Sequence, residues 1–365
     1  MNNPRFSELV SKFNIELDIK EIAPFGNGHI NDTYLVTTVP ADAPDYMLQR
    51  KNHQIFKNVP GMMNNIVITT NHIRNKLIAA GEKEVERKVM TYIPAKDGQM
   101  FVNDEEGNFW TLFLFIADCR VVENIQKPEQ AFSAARAFGH FQLQLADLPG
   151  DKLIETIPNF HNGISRLYDF QLSVLKDAAQ RVNDNQVLIN KIIERSAEMT
   201  SLQRWLDDNT LPLRITHNDT KINNILFDQD NNTLCVIDLD TVMPGSALYD
   251  FGDAIRTLGN TAPEDEPNLT NIAFNKEIFE AFAQGYLSEA KSFLTPMEVD
   301  HLVFSCRYMA WEQAMRFLTD YLNGDLYYKT DYQGHNLVRT KAQVRYLEVL
   351  EENKEVMEGI VKAGK

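Results

Sequence analysis

Short apolar stretches that alternate with polar residues dominate the first third of the chain and predict an antiparallel sheet. Residues 21–25 and 33–38 flank a glycine turn, which is typical of a hairpin. Further strands are predicted at residues 46–50, 89–93 and 109–116, with a polar turn at 104–108 before the last one. Helices are predicted at residues 1–20 and 60–80, and Gly81 can end the second of them.

Beyond residue 116 the apolar positions change to the spacing of buried helices. The clearest example runs from 132 to 148, where apolar residues recur every three or four positions. Residues 165–208 and those from 277 onward also predict helices, with breaks near Gly324 and Gly334. Residues 211–240 interrupt them as strand, loop and hairpin. The pattern therefore predicts an α+β protein, with an antiparallel β-rich N-terminal lobe at 1–116 and a mainly α-helical C-terminal lobe at 117–365.

Composition excludes several classes of function. A net charge of −15 and a pI near 5.0 argue against a nucleic-acid partner, which normally meets a basic face. Cys119, Cys235 and Cys306 are far apart, so they form neither a zinc ribbon nor a disulfide framework. We expect no membrane partner, because no apolar stretch approaches the ~20 residues that a bilayer requires. With no apparent secretion signal, a cytoplasmic location is expected.

Residues 214–226 and the apolar stretch after them carry the chemistry. His217, Asp219 and Asn224 form an H-x-D-x-x-x-x-N pattern, and Asp238 lies nineteen residues beyond Asp219. Phosphoryl transfer from ATP needs a carboxylate for the proton of the acceptor hydroxyl, and oxygen ligands for the magnesium ion on the phosphates. This spacing predicts an ATP-dependent kinase with a bilobal, protein-kinase-like fold. Asp219 is the predicted base, and Asn224 and Asp238 are the predicted magnesium ligands.

Two further aspartates allow more than one interpretation. Asp238 has apolar neighbours, and a carboxylate in an apolar strand is costly unless it is paired or bound to metal, which favours it over Asp240 as the ligand. Asp240 either also faces the metal or caps the next turn. Asp250 begins a literal D-F-G thirty-one residues after Asp219, and Asp238 already fills the expected metal position. We expect Asp250 either to brace the catalytic loop or to be a helix N-cap.

The first hairpin has the features of a nucleotide-covering loop. Gly26, Asn27 and Gly28 form a G-x-G turn, where small residues let backbone N–H groups approach phosphates. The same pattern occurs in plain turns, but its place ahead of a kinase loop favours the first interpretation. His29 and Asn31 are unusually polar for a strand start. They either face a ligand or belong to a solvated hairpin end.

Arg316 lies on a largely apolar helix stripe. An arginine in such a place either binds an anion or a hydrogen-bonding ligand, or forms an i,i+4 ion pair with Glu312 or Asp320.

These segments resemble the aminoglycoside phosphotransferase and choline kinase superfamily, and within it the kinases of N-acetylhexosamines. The residues that carry the likeness are 26–38, 216–226, 237–246, 250–253 with 256, 315–318 with 320–322, and 335–340, and they are distributed over nearly the whole chain. It implies an enzyme that uses ATP and magnesium to phosphorylate the anomeric hydroxyl of N-acetylglucosamine or N-acetylgalactosamine by direct in-line transfer.

The resemblance also implies roles for individual residues. Asp219 would be the base, next to a sugar pocket that includes His29, Asn31 and Arg316. Backbone groups near Phe115 and Ile116 would meet the adenine.

One position departs from the wider superfamily. The cation that usually meets the ATP phosphates on the third strand is Gln49 here, flanked by Arg50 and Lys51. Which of the three meets phosphate stays open.

Two alternatives remain beside the sugar kinase. One is a kinase of the same fold that acts on homoserine, methylthioribose or an amino alcohol, and a cationic acceptor would then require an acidic pocket. The other is a nucleotide-binding regulator without activity, against which the complete set of Asp219, Asn224 and Asp238 argues.

Overall fold

The computed structural model describes residues 4–26 and 31–364, and the backbone divides into two compact units. The first unit comprises the described residues up to Val121, together with Asp151–Pro158 and Leu226–Met243. The second comprises Val122–Gly150, Asn159–Ile225 and the described residues from Pro244 onward. The division into lobes at residues 116 and 117 stays a prediction.

Eleven strands lie in the described residues. In chain order they are β1 (Asp18–Pro24), β2 (Asp32–Val39), β3 (Tyr46–Lys51), β4 (Tyr92–Ile93), β5 (Val102–Asn103), β6 (Phe109–Leu114), β7 (Arg120–Val121), β8 (Arg214–Thr216), β9 (Ile225–Phe227), β10 (Thr233–Val236) and β11 (Met243–Gly245).

Thirteen α-helices lie in the same part of the chain. They are α1 (Pro4–Ser11), α2 (Val59–Ala79), α3 (Val85–Lys88), α4 (Pro128–Leu145), α5 (Gly163–Lys176), α6 (Gln186–Met199), α7 (Ser201–Asp207), α8 (Ala247–Leu258), α9 (Lys276–Ala290), α10 (Pro296–Asp300), α11 (Leu302–Asn323), α12 (His335–Glu352) and α13 (Lys354–Ala363). No helix of residues 4–26 or 31–364 has both the length and the apolar content that a membrane crossing requires.

The first unit is built on an antiparallel sheet in the order β1-β2-β3-β6-β4, and β5 also pairs with β6. Alternation along β3 sends Tyr46 and Leu48 into an apolar core that α1 covers. The same alternation puts Gln49 and Lys51 together on the opposite face. The antiparallel sheet predicted for this region is confirmed.

Two predicted elements of the first unit were wrong in extent. The helix expected over residues 1–20 ends at Ser11, because Asp18 already pairs with Val39 in β1. The strand expected over 89–93 keeps only Tyr92–Ile93, and α3 precedes it. Helix α2 begins and ends as predicted, since the Asn58 side chain caps it and Gly81 follows in the left-handed region at φ 72°.

The second unit is helical, and α11 runs through its core with most of its residues buried. Helix α8 packs closely against α11 because Gly252 has no side chain: a Cβ there would lie 2.7 Å from the carbonyl carbon of Ser305. The helix-rich second part of the chain and the breaks after Asn323 and before His335 agree with the sequence pattern. The α+β class is confirmed.

Candidate active site

The predicted base lies in the second unit, in a loop that directly follows β8. The ring of His217 packs edge-on against Phe138 and Phe141 of α4, with ring centroids 6.0 and 5.9 Å away. Asn218 adopts the left-handed region at φ 63°, which asparagine tolerates better than most residues. Asp219 follows with a quarter of its side chain exposed, so its carboxylate is open to a ligand.

Asp250 braces this loop from α8. Its carboxylate accepts the backbone N–H groups of His217 at 3.0 Å and Asn218 at 2.7 Å, and the side-chain amide of Gln142 at 2.6 Å. The Thr220 hydroxyl donates to the Asp250 carbonyl at 2.6 Å. The N-cap of α8 is instead Ser246, one residue before Ala247. The bracing interpretation of Asp250 is therefore confirmed over the N-cap one.

Asn224 turns back on the base within the same loop. Its amide nitrogen donates to the backbone carbonyl of Asp219 at 2.8 Å and lies 3.3 Å from the Asp219 carboxylate. Within the residues described, the amide oxygen of Asn224 accepts no hydrogen bond. Asn224 is thus held in place by its nitrogen, and its oxygen stays available to a ligand.

Lys221 sets the charge state of the base. Its ammonium lies 3.1 Å from the Asp219 carboxylate. Burial raises the pKa of Asp219, but Lys221, and then His217, outweigh burial and hold that pKa below its ordinary value. Asp219 also raises the pKa of Lys221, so both groups are charged at neutral pH. The sequence prediction did not include Lys221, although its place two residues after Asp219 pointed to it.

Asp238, in the first unit, lies in a different setting from the one expected. Strand β10 ends at Val236, and Asp238 follows it, exposed and in the left-handed region at φ 58°. The interpretation of Asp238 as a carboxylate inside an apolar strand is therefore wrong, because the strand stops two residues earlier. Its assignment as a magnesium ligand stays a prediction.

The buried carboxylate of this segment is Asp240. The ammonium of Lys51 lies 2.6 Å from one Asp240 oxygen, and the Asn31 amide donates to the other at 2.8 Å. Lys51 and Asp240 are only 1 % and 3 % exposed. Lys51 also donates to the Gln49 side chain at 2.5 Å, whereas Arg50 pairs with exposed Asp32. The period-2 pattern of β3 puts Gln49 and Lys51 on one face, but it does not indicate that Asp240 is the partner of Lys51.

One glycine of the first hairpin lies in the left-handed region. Gly26 has φ 73°, a conformation that favours glycine, and the space around it is open. The predicted nucleotide-covering residues Asn27 and Gly28, and the predicted substrate residue His29, lie outside the described residues. Both polar atoms of the Asn31 side-chain amide form hydrogen bonds. The nitrogen donates to Asp240, and the oxygen accepts the backbone N–H of Asn52 at 3.0 Å.

The predicted adenine site follows β6 in the first unit. The Phe115 ring packs edge-on against Phe25, with centroids 5.7 Å apart, and Ile116 is buried. In the part of the chain that the structure describes, neither the Phe115 carbonyl nor the Ile116 N–H enters a hydrogen bond. These two groups belong to one trans peptide bond and point in opposite directions, so at most one of them can meet a given edge of adenine.

Arg316 lines a cavity of about 170 Å³ in the second unit. It lies 3.7 Å from Glu312 and over the rings of Phe160 and Tyr328, at 5.0 and 5.9 Å. Burial lowers the pKa of Arg316, but Tyr328 and Glu312 raise it by more than burial lowers it. Arg316 is therefore charged. The cavity is lined by both charge signs and by aromatic rings: Arg166, Asp169, Arg316, Thr319, Asp320, Asn323, Tyr327 and Tyr328.

Among the described residues, the cavity lining contains two arginines and two aspartates, so acidic groups do not outnumber basic ones. Asp320 accepts the backbone N–H groups of Leu326, Tyr327 and Tyr328 and the Asn336 amide, at 2.8 to 3.0 Å. Burial and the neighbouring Arg316 lower the pKa of Arg166. Of the two interpretations of Arg316, each describes part of its environment: Arg316 lines a cavity, and it also lies 3.7 Å from Glu312 at i,i+4.

Both predicted magnesium ligands present oxygen donors. Asn224 offers an unused amide oxygen and Asp238 an exposed carboxylate, and both are the hard oxygen ligands that magnesium prefers. Among residues 4–26 and 31–364, no three His, Cys, Asp or Glu side chains form a cluster for a metal ion. Each donor by itself is thus of the kind that a magnesium ion uses beside phosphate oxygens and water.

Comparison with known proteins gives consistent matches. A family model described as the phosphotransferase enzyme family matches residues 21–291. The fold is similar to an aminoglycoside phosphotransferase from Alicyclobacillus acidocaldarius, with a TM-score of 0.63, 12 % identity and 96 % of each chain covered. It is also similar to a microcompartment-associated aminopropanol kinase, with a TM-score of 0.58, 14 % identity and coverage of 97 % of this chain and 98 % of that one. A choline kinase from Cryptosporidium parvum matches with a TM-score of 0.58 and 14 % identity, over 98 % of this chain and 94 % of that one. At these identities the likeness shows a kinase-like fold.

Proposed function

Because this chain belongs to the phosphotransferase enzyme family, we propose that it is a small-molecule kinase that uses ATP and magnesium. We propose further that it is an N-acetylhexosamine 1-kinase, which transfers the γ-phosphoryl group to the anomeric hydroxyl of N-acetylglucosamine or N-acetylgalactosamine.

The observation that carries the proposal is the state of Asp219. Its carboxylate is open to a ligand, held ionised by Lys221, and carried by a loop whose backbone is bonded to Asp250. A positioned carboxylate that accepts the proton of an acceptor hydroxyl is the group that phosphoryl transfer requires from the protein. In this role Asp219 orients the hydroxyl toward the γ-phosphorus and takes its proton as the new O–P bond forms. The bond between the γ-phosphorus and the β,γ-bridging oxygen breaks, and ADP leaves.

The remaining predicted residues have matching roles in the proposal. Asn224 and Asp238 would bind the magnesium ion, which neutralises phosphate charge. Backbone groups near Phe115 and Ile116 would meet the adenine, and Gly26 with the glycine turn after it would cover the phosphates.

The Arg166–Arg316 cavity favours an acceptor that presents hydrogen-bond-accepting oxygens. Two guanidinium groups face it together with the carboxylates of Asp169 and Asp320, and Asp320 is already bonded to four N–H groups. The arginines offer several N–H donors in a fixed geometry, which suits the oxygens of a neutral sugar. A sugar with hydroxyl and acetamido oxygens would accept from Arg316. The carboxylate of homoserine would do so as well, and homoserine is therefore the second candidate.

The test is ATP consumption against a panel of N-acetylglucosamine, N-acetylgalactosamine, glucose, galactose, methylthioribose, homoserine and choline, with and without magnesium. Product analysis locates the phosphate. Asp219→Asn is the catalytic control, and we expect it to lower kcat by about 10²- to 10⁴-fold. Arg316→Ala should raise KM for the acceptor more than KM for ATP.

Each outcome has a definite meaning. Magnesium-dependent formation of sugar 1-phosphate, lost in Asp219→Asn, would support the full proposal. Turnover of homoserine or choline alone would support a small-molecule kinase and would rule out N-acetylhexosamines as the acceptors. ATP binding without any turnover of the panel would favour the regulator over the enzyme.

A further inference from the structure

A buried histidine and a buried glutamate connect the catalytic loop to the Arg166–Arg316 cavity. His161 lies just before α5, and its Nδ1 is 2.8 Å from the Oε2 of Glu312 on α11. Its Nε2 is 3.1 Å from the backbone carbonyl of Asn218. The two side chains are only 5 % and 1 % exposed, so both hydrogen bonds are shielded from water.

The contact to Asn218 has a fixed direction. A carbonyl oxygen can only accept, so Nε2 of His161 carries the hydrogen and donates it. The N–H of Asn218 is bonded to Asp250, and its backbone is in the left-handed region. Both backbone polar groups of Asn218 are therefore held, the N–H by α8 and the carbonyl by His161. The next residue is the base, Asp219.

The other Glu312 oxygen faces the cavity arginines. Within the described residues, Oε1 is buried and has no hydrogen-bond partner, and it lies 3.7 Å from Arg316 and 3.9 Å from Arg166. Burial opposes ionisation of Glu312, but His161, followed by Arg316 and Arg166, holds its pKa below the ordinary value. One carboxylate thus contacts the cavity cations on one side and the histidine of the loop on the other.

We propose that His161 and Glu312 are positioning residues that hold Asp219 at a fixed place relative to an acceptor bound at Arg316. The inference rests on the proposed function for its kinetic consequence, and on geometry alone for its structural one. Loss of the link leaves ATP binding intact and lets the base move relative to the acceptor hydroxyl. A displacement of about 1 Å at a reacting group costs roughly 100-fold in rate.

The experiment compares His161→Leu with His161→Gln, whose side-chain amide can still donate to the Asn218 carbonyl. The matched control is His335→Gln, since His335 is equally buried and contacts Asp265 rather than the loop. We expect kcat to fall about 100-fold in His161→Leu, with KM for ATP within about twofold of wild type. His161→Gln should recover part of the rate, and the control should keep it.

Hydrogen exchange of residues 215–225, followed by mass spectrometry, is the second measurement and needs no acceptor. Exchange confined to these residues should be faster in His161→Leu and unchanged in the control. If kcat and loop exchange stay at wild-type values, the inference is overturned. Exchange that rises across the whole unit would overturn it too, because His161 would then only stabilise the fold.

The two proposals can fail separately. If wild-type protein phosphorylates no acceptor, the proposed function fails, and the exchange measurement still decides whether His161 holds the loop. If His161→Leu does not fold, Glu312→Gln serves in its place, since it removes the charge that joins His161 to the arginines.

Discussion

The carboxylate of Asp250 lies 2.7 Å from the backbone nitrogen of Asn218 and accepts its hydrogen bond inside the second unit. The same carboxylate also accepts from His217 and Gln142, so three N–H donors share two oxygens. A group of this kind has no neutral substitute, because an amide would turn its own N–H toward a donor. The D-F-G letters around Asp250 therefore mark a structural brace for the catalytic loop.

Asp250→Asn should destabilise the protein and lower its kcat. Each buried group left without a partner costs about 1–3 kcal/mol, so the free energy of unfolding should drop by at least that amount. Urea unfolding measures this, and kcat should fall with it because the loop is no longer fixed. Asp184→Asn, at an exposed position without such contacts, is the control and should stay within about 0.5 kcal/mol of wild type. Equal free energies of unfolding for Asp250→Asn and Asp184→Asn would show that Asp250 does not brace the loop.

Lys221→Met should change the pH dependence of catalysis. Lys221 is the largest favourable influence on the Asp219 carboxylate, so its removal raises the pKa of Asp219. A base with a raised pKa becomes protonated at higher pH, and the acid limb of the kcat/KM profile therefore moves to higher pH. Lys221→Arg keeps the positive charge, so the acid limb of its profile should stay at the wild-type pH. Profiles normalised to their own plateau test this, and coincident limbs in the methionine variant and wild type would reject the role of Lys221.

Lys51→Met should cost much more stability than Arg50→Met on the same strand. The Lys51–Asp240 pair is buried, and removal of one partner from such a pair costs about 3–5 kcal/mol because the other charge stays behind. The Arg50–Asp32 pair is roughly half exposed and should contribute about 1 kcal/mol or less. The double variant Lys51→Met with Asp240→Leu should be less damaging than either single change. Equal urea midpoints for Lys51→Met and Arg50→Met would contradict a buried pair.

The local sequence pattern predicted most of the fold and the loop of the base, for identifiable reasons. Alternation gave β2 and β3, and the apolar spacing gave α4 and α11, because each reports one buried face. The spacing of Asp219 and Asn224 is local, and the structure joins the two by the Asn224 amide. These features depend on residues that are near one another in the chain.

The sequence missed contacts that depend on distant residues. His161 reaches Asn218 and Glu312 across 57 and 151 positions, and Lys51 reaches Asp240 across 189. No local pattern contains such pairs. The environment of Asp238 was missed for another reason, since apolar neighbours suggested a strand where the backbone turns into the left-handed region. Only the tertiary fold determines which of two nearby aspartates is buried.

Gly252→Ala should destabilise the protein, although alanine normally favours helices. Helices α8 and α11 approach each other so closely at Gly252 that a methyl group would overlap the Ser305 backbone. Overpacking of this kind costs about 1–3 kcal/mol. Helix α8 also carries Asp250, so a shift of α8 away from α11 would displace the loop brace and lower kcat.

Gly359→Ala is the matched control for this change. Gly359 is also helical, in α13, but nothing lies within 4 Å of the place where its Cβ would be. There the ordinary helix propensity should dominate, and the substitution should stabilise by up to about 1 kcal/mol without any effect on kcat. Opposite signs in urea unfolding would show that the glycine of the D-F-G is required by helix packing. Stabilisation by both substitutions would mean that α8 can move away from α11 at no cost, and would remove packing as the reason for Gly252.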